Sequence, residues 1–300
     1  AENRRDPDQE RVRLAFGIQD QLRLLGERLT LVPTLRYERL QDQGSEFDRF
    51  GRITGPASES HGLWNPALGA GLAVMPWLEL RGNLGLLHRA PSFSERFGNR
   101  GSIQGNPALE PERGIVRDIG FRLKEPTDRF GDLRVEYAYF NNDIDDMIFL
   151  RVQSGVNAVI ADNARARLRG HELSLSLRPV AWMVLDANYT HQDSENRDRE
   201  NPGKQLPLRP RDEVYGRLQF GPEPWQAYYE INWIGENFLA VDNLRTVADR
   251  LIHTAGGKVA PWPWLSLGLE ARNFGNDRAE DASGYPLPGR SFFGTLKATL

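Results

Sequence analysis

The sequence predicts an all-β fold, an antiparallel barrel that crosses a membrane, and three observations carry that prediction. Thirteen segments alternate apolar and polar side chains with the period of two that a strand imposes. Four short reversals place Pro beside Trp: Met75-Pro76-Trp77, Arg178 to Trp182, Gly221 to Trp225 and Ala260 to Trp264. Short and long connections alternate along the whole chain.

The segments cover 10–24, 28–40, 64–75, 77–88, 113–124, 131–150, 165–178, 181–192, 207–220, 224–235, 248–260, 262–273 and 289–300. The clearest apolar sets are Leu29/Leu31/Pro33/Leu35/Tyr37, Leu78/Leu80/Leu84/Leu86, Leu173/Leu175/Leu177, Met183/Leu185/Ala187/Tyr189 and Leu265/Leu267/Leu269/Ala271. Their polar alternates include Glu79, Arg81, Asn83, Arg134, Glu136, Glu172, Asp186, Asn188, Glu230, Asn232, Glu270 and Arg272. No segment carries a 3.6-residue stripe, so no helix is expected.

Proline lacks the ladder N–H, so Pro at the four reversals reads as a tight end to a strand. Tryptophan joins an apolar body to one N–H and suits a boundary between oil and water. Five of the seven Trp crowd these turns, which marks a rim.

Short connections fall near 25–27, 75–77, 125–130, 178–181, 221–224 and 260–263. Long ones span 41–63, 88–112, 151–164, 193–206, 236–247 and 274–288. Tight turns at one end and long loops at the other are the layout of an outer-membrane barrel, whereas a soluble sandwich mixes lengths. Alternation alone does not say which face meets lipid; the Trp turns and loop lengths decide for the membrane. No apolar stretch approaches the ~20 residues of a membrane helix, but a barrel strand needs only ~10.

Composition narrows the function. Zero cysteines exclude disulfides, a Cys-based zinc site and a Cys nucleophile. A net charge of −3 with mixed signs gives no footprint for nucleic acid. Only four of the 38 basic residues are Lys (Lys124, Lys204, Lys258 and Lys297), which reads as genomic bias. The start at Ala1 is charged and loop-like with no signal peptide, which suggests part of a longer precursor.

Enzyme constellations fail at the residue level. His171-Glu172 meets Leu175 where a zinc-protease helix needs His, and Gly69-x-Gly71 meets Val74 where a dinucleotide fingerprint needs Gly. Gly203-Lys204 has Asp198 where a phosphate loop needs Gly. The five His are scattered, so no metal, cofactor or enzymatic activity is expected. The sequon Asn188-Tyr189-Thr190 lies mid-strand and is discounted.

Residues 86–123 carry a specific pattern: Arg89, Ala90, Pro91, Ser92, Phe93 and Glu95, then Gly105, Asn106, Pro107, Leu109, Pro111 and Glu112. It resembles the R-A-P-S-F-x-E and G-N-P-x-L-x-P-E stretches of the TonB-dependent outer-membrane receptors. Asn141–Ile148, Asn163–Leu173 and Gly284–Arg290 also resemble stretches of that family, in the same order. The resemblance covers about residues 10–300.

The resemblance implies a 22-stranded barrel whose lumen holds a plug, sited in the outer membrane of a Gram-negative cell. Residues 1–300 would be the C-terminal thirteen or so strands, with the plug and first nine or so strands upstream. Counted back from Leu300, the Trp turns fall on the periplasmic side and the long loops outside. The final strand of such receptors usually ends on an aromatic residue; here it ends on Leu300.

The implied function is energy-coupled uptake of a scarce nutrient, a ferric siderophore first and cobalamin next. A passive porin-like barrel and a soluble all-β binding module are the alternatives. Implied partners are outer-membrane lipid, the inner-membrane protein TonB acting through the missing N-terminal part, and the small ligand. The complete protein would be a monomer. Ligand contact is expected from His88, Arg89, Phe93, Arg96, Phe97 and Arg100, since Arg beside aromatic rings suits an anionic chelate. Asp143, Asp145 and Asp146 are expected as lumen-facing acids, paired with Arg on neighbouring strands or the plug.

Overall fold

A strand that alternates apolar and polar residues must separate two environments, and it satisfies its backbone only by pairing on both edges. The computed structural model of the chain shows that arrangement; it describes residues 10–47, 53–98, 103–127, 131–152, 159–282 and 285–299. The main path runs through thirteen strands: β1 (Glu10–Gln19), β2 (Leu29–Phe47), β3 (Ile53–Met75), β4 (Leu78–Arg89), β5 (Glu112–Thr127), β6 (Gly131–Val152) and β7 (Val159–Val180). It continues through β8 (Met183–Asn196), β9 (Asp212–Phe220), β10 (Trp225–Ile234), β11 (Arg250–Trp262), β12 (Leu265–Arg272) and β13 (Ser291–Ala298). Each pairs antiparallel with the next in sequence, as the alternation predicts.

Directly opposed residues in an antiparallel pair share a face, so the register sorts every side chain. One lateral row reads Leu80, Phe121, Tyr137, Leu173, Tyr189, Val214, Trp233 and Leu251 across β4–β11. The apolar face is uncovered: Phe16 is 64% exposed, Ile119 67%, Leu269 75% and Leu296 70%. The opposite face carries charges that neutralise one another. Arg122 Nε lies 2.8 Å from Glu136 Oε1, Arg81 Nη2 3.1 Å from Glu79 Oε2 and Arg13 Nε 2.7 Å from Glu38 Oε1.

The short turns form one rim. The carbonyls of Trp77, Trp182, Pro224 and Trp264 accept from Lys124 N, Gly221 N, Ala260 N and Thr299 N at 2.7–2.9 Å, tying each turn to the strand beside it. Trp77, Trp182, Trp225, Trp262 and Trp264 are all exposed there, and the Trp262 and Trp264 rings stack 5.6 Å apart.

Four features depart from the sequence expectation. The connections at 41–63 and 151–164 are largely strand: β2 and β3 stay in register from Leu29↔Leu72 to Glu46↔Gly55 and shift by one residue before Phe47↔Ile53, and β7 begins at Val159. The β2–β3 extension carries polar residues on both faces, whereas Met147–Leu150 and Val159–Ala161 put apolar residues on both faces of the β6–β7 one, so in each the period-two signal fades while backbone pairing continues. The 10–24 segment breaks after Gln19, opposite Pro33, and resumes as Leu22–Leu24. Pro33 has no N–H to give, although its carbonyl accepts from Asp20 N at 3.2 Å.

A one-turn helix, α1 (Phe93–Phe97), stands where no helix was expected. Asp143 pairs with Arg on neighbouring strands as expected, but on the apolar-side face of Tyr137 and Tyr139, not the polar one. The unbroken register of β6 with β7, Asp132↔Arg178 to Ile144↔Ala166, places it there. Arg117 Nη2 and Arg167 Nε approach its carboxylate at 3.0 and 2.7 Å.

The buried apolar residues lie beyond the main band, where long strands and loops meet. Ile144, Met147, Ala166, Leu168 and Leu206 form one cluster; Leu109, Ile148 and Ala161 form another. Among the described residues β1 and β13 each keep one edge without a strand partner. Open edges leave backbone groups that lipid does not satisfy. Residues 1–300 expressed alone are therefore expected not to form a stable monomeric barrel. A refolded, protease-resistant monomer whose gel mobility shifts on heating would contradict this.

Candidate functional site

The connection from β4 to β5 contains the one helical turn among the described residues, and local chemistry explains it. Ser92 caps α1: its Oγ accepts from Glu95 N at 3.2 Å, while Glu95 Oε2 accepts from Ser92 N at 2.6 Å. This reciprocal pair is a capping box, and Ser92-Phe93-Ser94-Glu95 is its sequence signature. Gly98 ends the turn at φ 81°, a conformation that favours glycine, and its N–H donates to Ser94 O at 2.9 Å.

The second half of the motif packs against the first. Asn106 N donates to Glu95 O at 2.9 Å, which lays Gly105 across the end of α1. A Cβ at Gly105 would sit 2.3 Å from the Phe97 carbonyl carbon and 2.4 Å from Gly98 N, so only glycine fits. Asn106 Oδ1 accepts from Ala108 N at 3.1 Å, and its Nδ2 donates to Ala161 O on β7 at 2.9 Å. Leu109, 1% exposed, fills the gap between Ile148 and Ala161.

Two arginines knot the loop to the wall. Arg89, at the end of β4, donates to Glu95 Oε2 at 3.1 Å and to Glu112 Oε1 at 2.7 Å, joining both ends of the motif. Glu112 is buried and also accepts from Ile148 N at 2.8 Å. Arg96, 4% exposed, donates to Asp42 Oδ2 at 3.1 Å and Pro107 O at 3.2 Å, and it pairs with Glu59. Arg11 clamps the same Asp42 through two bonds of 2.6 and 2.7 Å and reaches Pro91 O at 2.7 Å.

Charge states follow from these contacts. Burial opposes ionisation of Asp42, but the Arg11 and Arg96 guanidiniums hold its carboxyl below the usual range. Burial likewise opposes ionisation of Glu95, and the Ser92 N–H with Arg89 draws its pKa down. The Glu112 carboxylate, backed by Glu95, keeps Arg89 charged.

The six residues expected to meet a ligand are thus placed differently. Arg89 and Arg96 have their donors engaged within the loop. The His88 N–H donates to Asn65 Oδ1 at 2.5 Å, beyond the last paired residues of β3 and β4. Phe93 is 37% exposed, its ring centroid 4.8 Å from that of the half-buried Phe97, with the Arg11 guanidinium 6.0 Å from the Phe93 centroid. Arg100 lies outside the described residues, as does Leu300. Arg11, Asp42 and Glu59 escaped the sequence reading: they sit on β1–β3, far from the motif in the chain, with no local signal.

A family model described as TonB dependent receptor-like, beta-barrel, matches residues 1–274. The chain is 27% identical over 199 residues to the heme/hemopexin utilization protein C of Haemophilus influenzae (strain 86-028NP), covering 58% of the chain and 26% of that relative. It is 23% identical over 244 residues to the vitamin B12 transporter BtuB of Vibrio vulnificus (strain CMCP6), covering 79% of the chain and 36% of that relative. Its fold matches the siderophore receptor PiuA from Acinetobacter baumannii with a TM-score of 0.79 at 16% identity, over 98% of this chain and 44% of that one. The chain therefore spans a quarter to under half of the length of these proteins.

Two expectations follow from the loop. Arg96→Ala removes the cation that Asp42 and Glu59 share and leaves Asp42 to Arg11 alone, and loss of such a hydrogen bond to a charged group costs about 1.5–3 kcal/mol. Hydrogen exchange should then show loss of protection across 90–111 with the strand core unchanged. Asp42 and Glu95 both titrate lower in the folded loop than when unfolded, so their stabilisation is complete above the ordinary carboxylate range and disappears as pH falls through the folded values. Exchange protection of 90–111, corrected for intrinsic rates, should stay constant from about pH 8 to 5 and fall below about pH 4; protection that fell on raising the pH would contradict the assignment.

Proposed function

The chain belongs to the TonB-dependent receptor β-barrel family, and we propose that it forms the C-terminal thirteen strands of a 22-stranded, plugged outer-membrane importer. The observation that carries this reading is the division of one continuous sheet into an uncovered apolar face and a charge-paired polar face. Lipid covers the first, and the second lines the lumen. The Trp rim then lies at the periplasmic surface, and the β4–β5 connection opens outward.

The cargo in this reading is a ferric siderophore, taken up without any bond being broken. Work delivered by TonB through the N-terminal part of the protein moves the plug, while the wall stays fixed. Arg89 and Arg96 act as positioning residues that hold α1 to the wall. Phe93 and Phe97, with His88 and Arg100, then present an aromatic and cationic surface to an anionic chelate. Cobalamin is the second reading, favoured by the similarity to the vitamin B12 transporter over 79% of the chain.

Growth of a deletion strain on a panel of ferric chelates, with cobalamin-dependent growth alongside, tests the proposal. The expected result is loss of growth on one class of chelate, restored by the intact gene. Phe93→Ala should weaken that chelate's binding about tenfold, the scale of one aromatic contact, with receptor abundance unchanged. Unimpaired growth on every chelate with loss of cobalamin uptake would remove the siderophore reading.

A further inference from the structure

The apolar-side face of the sheet changes character at one level. Tyr139, His171, His191 and Asp212 are direct partners across β6–β9, one row beyond Tyr137, Leu173, Tyr189 and Val214. Polar atoms join along these rows: Tyr137 Oη lies 2.7 Å from His171 Nδ1, Tyr189 Oη donates to Asp212 Oδ1 at 2.7 Å, and His191 Nδ1 lies 2.8 Å from the same oxygen. From Val180 at its Trp turn, β7 reaches His171 after about 30 Å of strand, which is about 23 Å of height at the usual barrel tilt. A membrane barrel carries an apolar band roughly 25 Å tall, so the Tyr–His row stands at the edge of the hydrocarbon.

Arginine takes over directly beyond that row. Arg165, Arg167 and Arg169 occupy alternate positions of β7 on this same face, where lipid tails would not tolerate them. Arg117 joins them from β5, and Arg197 and Arg211 from the connection between β8 and β9. The carboxylates among these six arginines are Asp143, Asp193, Glu195 and Asp198, which leaves an excess of two positive charges. Arg113 and Asp145 stand opposite each other at the border and cancel.

Depth separates the two signs. Arg117, Arg165, Arg169, Arg197 and Arg211 are exposed, whereas the four carboxylates are half-buried. Asp143 is shared by Arg167 Nε at 2.7 Å, Arg117 Nη2 at 3.0 Å and Arg197 Nη1 at 3.7 Å. Asp193 is shared by Arg169 Nε at 3.6 Å and Arg211 Nε at 3.8 Å. Contacts of 3.6–3.8 Å are ion pairs but not hydrogen bonds, so Arg169, Arg197 and Arg211 keep forked N–H donors for a further acceptor.

We infer that this patch binds a lipid whose headgroup carries a phosphomonoester. The acyl chains lie on the uncovered apolar face below the Tyr–His row, and the phosphate rests on the exposed guanidiniums of β7 and the β8–β9 connection. Charge selects the class. A phosphomonoester carries about −1.5 to −2 at pH 7 with three acceptor oxygens, which balances the excess of the patch. A phosphodiester, with about one charge, leaves half of it uncompensated. Guanidinium forks match phosphate oxygens in pairs, so geometry and charge favour the same group. A free anion would meet the arginines alone, whereas a lipid also covers the apolar surface continuous with them. The inference rests on the barrel reading in one respect, that lipid covers the apolar face.

Native mass spectrometry of the full-length protein, delipidated in mild detergent and titrated with phosphatidic acid, tests it. A single phosphatidic acid should bind about tenfold tighter than phosphatidylglycerol, and inorganic phosphate at equal concentration should not displace it. Arg169→Ala with Arg211→Ala should bring phosphatidic acid down to the affinity of phosphatidylglycerol, while the barrel keeps its heat-shifted gel mobility. Arg169→Lys with Arg211→Lys, which serves if the alanine pair does not fold, should lose part of the preference, because an ammonium keeps the charge but not the fork. Full preference retained in a folded variant overturns the inference. So do equal affinities for the two lipids, displacement by inorganic phosphate, or a polypeptide bound in place of lipid. Failure of the barrel reading is distinguishable, because the protein would then be recovered without detergent.

Discussion

Every backbone N–H and C=O in a membrane-crossing strand must find its partner in the next strand, because lipid offers none. That constraint ties thirteen strands into one sequential meander and makes the register decisive. Once Leu80 stands opposite Phe121 and Phe121 opposite Tyr137, every neighbouring side chain is committed to one face or the other. The apolar face remains uncovered and the polar face fills with ion pairs. Backbone amides join the Trp182, Trp225 and Trp262–Trp264 turns in succession, and the Trp77 turn is bonded to Lys124 on the strand beside it.

The second organising interaction is the ionic knot under α1. Arg89 joins Glu95 to Glu112, and Arg96 joins α1 to Asp42 on β2 and Glu59 on β3. Removing water from such charges is expensive unless each has partners, and here each does. The knot ties a long connection to the wall and leaves Phe93, Ala108 and Glu110 exposed on it. The motif residues at its base hold α1 to the wall through Arg89 and Arg96.

The strand count, the sequential pairing and the rim were legible in the sequence, because alternation and Pro-Trp turns are local signals. The helical turn was missed, because one turn is too short to show a 3.6-residue stripe; its one local signal is the capping box Ser92-x-x-Glu95. The hairpin extensions of β2–β3 and β6–β7 were not legible. The first is polar on both faces and the second apolar on both around Met147–Leu150 and Val159–Ala161, so neither leaves an alternating period to read. The loop motif was recognisable as a pattern, yet its partners Arg11, Asp42, Glu59 and Ala161 are distant in the chain.

The sequence by itself determined the two-faced character of each strand, since side-chain direction in an extended chain simply alternates. Only the tertiary structure decided which charges are neutralised. Arg96 is buried against Asp42 and Glu59, Asp143 lies on the face of Tyr139, and three exposed lysines share the turn end with Arg134 and Arg178. Charge pairing depends on distances across strands, and those are set by register, which no single strand contains.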